Sequence, residues 1–225
     1  MNRYQFSKFF ITSKPFLYKK YINLLRPNKK KLIIGDATEL VIDGFPRSAN
    51  TFAVVAFEAV QKRTVVIAHH THVPATIIEG CKRKLPALLL IRDPLSCVTS
   101  ASIFRNTAPV PLLEEWLWFY QNCLPFKSAL TIASFENVTN HYDQVISSLN
   151  KKFNTNFSLF HHETNLLTSV NLRVEKIAKE FGQSELQVAR PSDSRKYLKE
   201  QIKATISKES KMLNKAQSLY DKYFI

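Results

Sequence analysis

The chain has 225 residues, 45% of them hydrophobic and 22% charged, a globular composition with core enough for one domain and unlike that of a disordered chain. Its net charge of +14 divides as +8 in residues 1–38, +1 in 39–189 and +5 in 190–225, so basic ends flank a nearly neutral middle. Such ends attract anions (nucleic acid, an acidic membrane surface or a polyanionic small molecule), while no apolar run approaches the roughly 18 residues that a membrane span requires.

Residues 1–38 interleave aromatics (Phe6, Phe9, Phe10, Phe16, Tyr18) with lysines (Lys8, Lys14, Lys19, Lys20). Ser13, Lys14 and Pro15 break the apolar run and no small-residue cleavage site follows, which argues against a secretory signal. A short helix packed on the domain is expected; a segment lying on an anionic membrane is the alternative.

From residue 39 strands and helices alternate. Leu40–Phe45 reads as a strand ending in a turn at Pro46, and Asn50–Gln61 as a helix with Phe52, Val55, Ala56 and Ala59 on one face. Thr64–Ala68 and Ala87–Ile91 are further strands. Pro94 opens a helix to Arg105, Leu112–Phe126 is an aromatic helix, and Ala129–Ser134 is a fourth strand. After Asn140 helices dominate, ending in a basic helix from about Arg195 to Tyr220. Strands separated by long helices pair in parallel through right-handed crossovers, and continuously apolar strands are covered on both faces. The expected fold is α/β, a three-layer α/β/α domain with a central parallel sheet.

Ligands of open parallel sheets bind beyond the carboxyl ends of the strands. The segment Asp43-Gly44-Phe45-Pro46-Arg47-Ser48-Ala49-Asn50-Thr51-Phe52 occupies that place between the first strand and its helix. The helix start offers unpaired N–H groups, Arg47 a permanent cation, and Ser48, Asn50 and Thr51 short hydrogen-bonding side chains. Capping of the helix by Ser48 or Asn50 is the plainer alternative. Four glycines in the whole chain exclude a loop built on three or more, and GxxxxGK[ST] is absent. Beyond the third strand, Arg92 precedes Ser100 by eight residues; a guanidinium and a hydroxyl converging there would clamp a second phosphate, while an arginine paired to Asp93 and a solvated serine is the plainer reading of these residues alone. After the second strand, His69, His70 and His72 invite a zinc reading; with Cys81 the only nearby thiol, no metal is expected. Cys81, Cys97 and Cys123 form no spaced metal pair and are too few for a disulfide scaffold, so free thiols in a reducing cytoplasm are expected.

The run Phe45-Pro46-Arg47-Ser48-Ala49-Asn50-Thr51-Phe52 resembles the Tyr/Phe-Pro-Lys/Arg-Ser-Gly-Thr-Thr-Trp loop of the sulfotransferase family. The resemblance continues in Arg92…Ser100 and in Thr71-His72-Val73-Pro74, and covers roughly residues 39–200. It implies a P-loop-NTPase-like sulfotransferase fold, with a basic aromatic segment at 1–38 and the sulfotransferase domain with its basic C-terminal helix at 39–225. It further implies 3′-phosphoadenosine 5′-phosphosulfate (PAPS) as sulfuryl donor and adenosine 3′,5′-bisphosphate (PAP) as product. In that family the loop, here Arg47 to Phe52, holds the 5′-phosphosulfate, and the arginine–serine pair, here Arg92 and Ser100, holds the 3′-phosphate. The histidine, here His72, is the base, with Arg47 stabilising charge on the departing phosphate. A late Arg-Lys pair, matched by Arg195 and Lys196, closes over the donor. Ala49 stands where the family has glycine, Asn50 where it has a hydroxyl residue, and His70 where many members have lysine.

The expected activity is sulfuryl transfer to a hydroxyl or amine of a small-molecule, glycan or lipid acceptor, in the cytoplasm or peripherally at a membrane through the basic N-terminus. Segment 105–126 with Phe104, Trp116, Trp118 and Tyr120 is a candidate acceptor wall, although aromatics at helical spacing more often belong to the core. A nucleotide or small-molecule kinase of P-loop type would need a Lys–Ser/Thr pair and a magnesium carboxylate. A nucleic-acid-binding module would use the basic ends and leave the three ordered motifs unexplained.

Overall fold

The computed structural model describes residues 3–180 and 193–225, with side chains from Ser7 to Glu180 and from Lys196 onward. Two helices, α1 (Arg3–Ser13) and α2 (Pro15–Leu25), and a 3₁₀ turn (Pro27–Leu32) precede β1 (Leu40–Gly44). Then come α3 (Asn50–Val60), β2 (Ile67–His69), α4 (Pro74–Lys82), β3 (Ala87–Ile91), α5 (Pro94–Arg105), α6 (Pro109–Cys123) and β4 (Thr131–Ser134). The helices α7 (Phe135–Asn140), α8 (Tyr142–Phe153), α9 (Thr164–Glu180), α10 (Asp193–Lys208) and α11 (Ser210–Asp221) complete the chain.

The four strands form one wholly parallel sheet in the order β2-β1-β3-β4. Alternation along the strands divides the apolar side chains between two cores. Val41, Leu89 and Ile91 face Ile77 of α4, Val98 of α5, Trp116 and Tyr120 of α6, and Leu219 of α11. Leu40, Ile42, Leu88 and Leu90 face Val54 and Phe57 of α3, Val138 of α7, Ile146 of α8 and Val170 of α9. Helices on both sheet faces are what continuously buried strands demand.

The ladder requires glycine at the end of β1. A Cβ on Gly44 would lie 2.2 Å from the carbonyl oxygen of Leu90 on β3. That close approach brings the tips of β1 and β3 together.

Several elements differ from their sequence readings. The second strand is shorter, because only Ile67–His69 stand opposite Leu40–Ile42 of β1. The aromatic helix starts at Pro109 and gives way after Cys123 to a 3₁₀ turn containing Pro125, whose ring cannot continue an α-helical ladder. Trp116 and Tyr120 have no exposed surface, so they are core and line no acceptor site. The single basic helix expected near the C-terminus is two, broken at Glu209.

The N-terminal segment is packed on the domain as two helices. Phe9 stacks on Trp118 of α6 at 4.5 Å between centroids, Lys8 pairs with Glu115 at 2.7 Å, and Tyr18 and Ile22 bury against Ala75 of α4.

Candidate active site

The strand order reverses direction between β1 and β3: the chain runs from β1 outward to β2, then crosses to β3 on the other side. The crevice beyond the carboxyl ends of such a pair is where open α/β sheets hold ligands. Arg47 in the β1–α3 loop and Arg92 after β3 both stand there. Arg47 Nε donates to Ser100 Oγ at 3.0 Å, and Arg92 Nη1 donates to the Arg47 carbonyl at 3.2 Å. The two guanidiniums and the α5 hydroxyl are thereby one connected cluster, with Ser100 bonded to Arg47 rather than to Arg92. Each arginine also lies against a ring, Arg47 on Phe104 at 5.0 Å and Arg92 on Phe135 at 4.0 Å. Arg92 Nε is buried and makes no hydrogen bond, so a cationic donor with unused capacity is held at the site.

The β1–α3 loop is braced from beneath. Tyr120 Oη donates to the Leu90 carbonyl at 2.8 Å and accepts from the Phe45 N–H at 3.3 Å. Ser48 is fully buried, its hydroxyl 3.4 Å from Tyr120 Oη and 3.6 Å from Cys97 Sγ, and Cys97 donates to the Pro46 carbonyl. The Ser48 side chain therefore points into the protein, and its loop role here is anchoring. Asn50 Nδ2 closes the loop onto the Phe45 carbonyl at 3.0 Å, while its buried Oδ1 has no partner. Phe52 packs edge-on to Phe160. Replacing Tyr120 by phenylalanine strands the Leu90 carbonyl and the Phe45 N–H in the interior. The expected cost is about 2 kcal/mol, a fall in Tm of roughly 4–8 °C by thermal unfolding.

No side chain caps α3, so its first-turn N–H groups remain unpaired within the helix. Its N-cap, Ala49, is left-handed at φ 69°, and Arg47 precedes it at φ 72°. Both are non-glycine residues at positive φ and therefore strained, and the Ser48 N–H between them donates back to the Phe45 carbonyl at 3.3 Å. The left-handed penalty on Ala49, about 1–2 kcal/mol, exceeds the extra chain entropy a glycine would lose. Ala49→Gly is therefore expected to raise Tm by about 1–2 °C, a gain of about 0.5 kcal/mol.

The histidines sit on the other flank of the loop. His72 Nδ1 lies 2.8 Å from the Gly44 carbonyl, which can only accept, so this nitrogen carries a proton, and in the uncharged form of the ring Nε2 holds a lone pair. His72 is about one-quarter exposed. Beneath it, Asp43 is wholly buried at the end of β1 and accepts from the Gly44 N–H, the Thr71 N–H and hydroxyl, and the His72 N–H. Burial pushes the Asp43 carboxyl upward, but the hydrogen bond and charge of His72, with the Thr71 and Gly44 donors, hold it below its ordinary value. Sequence reasoning assigns Asp43 no role and places Tyr120 in a candidate acceptor wall rather than beneath the loop. The one available signal for Asp43 was a lone acid inside an apolar strand.

His70 joins this group to the β1–α3 loop: its Nε2 is 3.1 Å from Thr51 Oγ1, and its Nδ1 is 2.6 Å from His69 Nδ1. Burial, then the charges of His72 and His69, push the His70 imidazole down to about 3. It is uncharged at neutral pH, so the second cation that a lysine would supply in this position is missing. His70 and His72 both have φ of 54°. Among the described residues no set of three His, Cys, Asp or Glu side chains converges as a metal site. The three cysteines are free, and burial raises each thiol, Cys97 up to about 11.

The structure thus brings Arg47, Ser48, Ala49, Asn50, Thr51, Arg92, Ser100 and His72 around the ends of β1, β2 and β3. Lys196 is exposed on α10, and no described contact joins it to the group. The Arg195 side chain and the segment Ala189–Ser192 lie outside the described residues. No protein-family model matches the chain, and no curated protein matches it. The fold and site together define an α/β protein with a four-stranded parallel sheet and a cationic, histidine-flanked group of side chains at its switch point. Among the described residues no helix is long and apolar enough to cross a membrane.

Proposed function

We propose that the chain is a sulfotransferase of P-loop-like fold that moves a sulfuryl group from PAPS to a hydroxyl or amine acceptor. The observation that carries this reading is the meeting of two arginines and an Nδ1-protonated histidine at neighbouring strand tips. Two linked cations, one on the β1–α3 loop and one after β3, suit the two phosphate ends of a bisphosphate nucleotide, and an imidazole with Nε2 open suits removal of a proton from an attacking nucleophile. The buried, unpartnered Arg92 Nε fits an anionic ligand, since it is a charged donor lacking an acceptor.

In this mechanism the acceptor oxygen or nitrogen attacks sulfur in line as its proton passes to His72 Nε2. The bond from sulfur to the bridging oxygen breaks, and the leaving group is PAP. Asp43 holds the backbone that carries His72, and the Gly44 carbonyl fixes the ring's tautomer. Arg47 and the open N-terminus of α3 stabilise charge developing on the 5′-phosphate, while Arg92 and Ser100 take the 3′-phosphate. Fixed charge and positioning supply most of the acceleration, as in phosphoryl transfer. The three free thiols fit a reducing, cytoplasmic setting.

The test incubates the full chain with ³⁵S-labelled PAPS and a library of phenols, sugars, amines and lipids, following labelled product and PAP. Stoichiometric appearance of both supports the reading. ATP-dependent phosphorylation of the same library without sulfuryl transfer would replace it with the kinase reading.

A further inference from the structure

The segment 14–31 carries seven Lys/Arg and no acid. Its helix α2 is two-sided. Tyr18 and Ile22 are buried against α4, whereas Phe16 is 68% exposed and Leu24 77%, with exposed Lys20 between them at helical spacing. Lys20 Nζ stands 4.6 Å over the Phe16 ring. The helix ends at Leu25, also largely exposed, and every residue from Asn23 to Lys31 faces solvent. Large apolar side chains and a dense single-sign charge therefore share one outward face, on a helix whose inner face is fixed to the domain.

That combination fits one partner chemistry in particular. A polyanion such as nucleic acid or heparin would satisfy the lysines and leave Phe16, Leu24 and Leu25 in water. An anionic bilayer satisfies both: the lysines meet lipid phosphates and the apolar side chains enter the headgroup–acyl boundary. A second feature adjoins it. Beside Lys14, which precedes α2, an apolar groove of about 730 Å³ opens between α1, α6 and α11, with Phe10, Trp118 and Met212 in its walls. Lys14, Lys211 and Lys215 line it together with Glu114 and Glu209.

We propose that α2 and the following 3₁₀ turn are a docking face for an anionic lipid bilayer, with the groove as its apolar extension. The proposal is independent of the sulfuryl-transfer reading, because binding is measured without donor or acceptor. The inner face of α2 also reaches the histidine flank: Val73, next to His72, packs on the Tyr18–Ile22–Ala75 cluster. Docking through α2 would therefore hold the His72 side of the domain close to the lipid.

The experiment is co-sedimentation of the full chain with phosphatidylcholine vesicles containing 0, 15 or 30% phosphatidylglycerol, with heparin–agarose retention in parallel. Binding is expected only with the anionic lipid. It should fall on the order of 100-fold when Lys29, Lys30 and Lys31 are all changed to alanine, roughly fivefold per cation. Phe16→Ser with Leu24→Ser, both solvent-facing, should weaken vesicle binding at least tenfold and leave heparin retention unchanged. Absence of binding at 30% anionic lipid would overturn the proposal. So would vesicle binding that Phe16→Ser and Leu24→Ser leave intact, since it would then be the charge attraction of any polyanion.

Discussion

His72→Ala is expected to slow sulfuryl transfer by about 10³-fold while leaving donor affinity within a factor of two or so. A positioned general base contributes on the order of 10²–10⁴ to rate, and His72 is bonded to the Gly44 carbonyl rather than to Arg47 or Arg92. Loss of the ring removes the proton acceptor and leaves the cationic cluster with its own bonds to Ser100 and the Arg47 carbonyl intact. Single-turnover kinetics with labelled PAPS, together with calorimetric titration of PAP, separate the two quantities. A variant that turns over at the wild-type rate would show that another group takes the proton. Equal loss of binding and rate would mean that His72 is a donor ligand.

The second large effect is on stability. Asp43→Asn keeps the shape of the side chain but turns one acceptor into a donor where Gly44, Thr71 and His72 all present N–H groups. Breaking a buried charged network of this kind costs about 3 kcal/mol, or roughly 6–12 °C in Tm. The effect carries a pH signature of defined sign. The folded-state carboxyl lies below its unfolded value, so the stability it gives is complete above the ordinary aspartate range near 3.9 and is lost as pH falls through the lowered value. Denaturation at pH 7 should therefore separate wild type from Asp43→Asn by the full amount, and the gap should narrow steadily below about pH 4. A gap independent of pH would mean that Asp43 acts through packing alone.

How much of this was legible beforehand depended on the strength of local signals. The bounds of β3 and α5 came out as read, because an unbroken Ala87–Ile91 apolar run and a proline in the first turn are unambiguous. The Thr64–Val66 part of the second strand was misread, since β-branched residues favour extended backbone but only pairing opposite β1 makes a strand. The two N-terminal helices had no clean apolar stripe, and among the described side chains each buries two on the domain, Phe9 and Thr12 in one, Tyr18 and Ile22 in the other.

At the site, the two arginines, the Ser100 hydroxyl and His72 could be assembled from spacing and resemblance. Their mutual bonding could not. That Ser100 answers Arg47, that Ser48 turns inward to Tyr120, and that His70 is buried into neutrality all depend on side-chain packing from elements as distant as α6. The left-handed conformation at Ala49 was visible only as a question: a residue with a Cβ stands where the resembling loop has glycine, and the fold accepts the strain.

The central claim is that Arg47 and Arg92 grip two anionic ends of one nucleotide. Calorimetric titration of PAP against 5′-AMP, which lacks the 3′-phosphate, tests it most directly. Wild type should bind PAP about 10- to 100-fold more tightly than AMP, as one set of charge-assisted hydrogen bonds warrants, and Arg92→Ala should erase that preference while leaving AMP affinity nearly unchanged. Equal affinity of the wild-type chain for PAP and AMP, or an undiminished preference in Arg92→Ala, would contradict it.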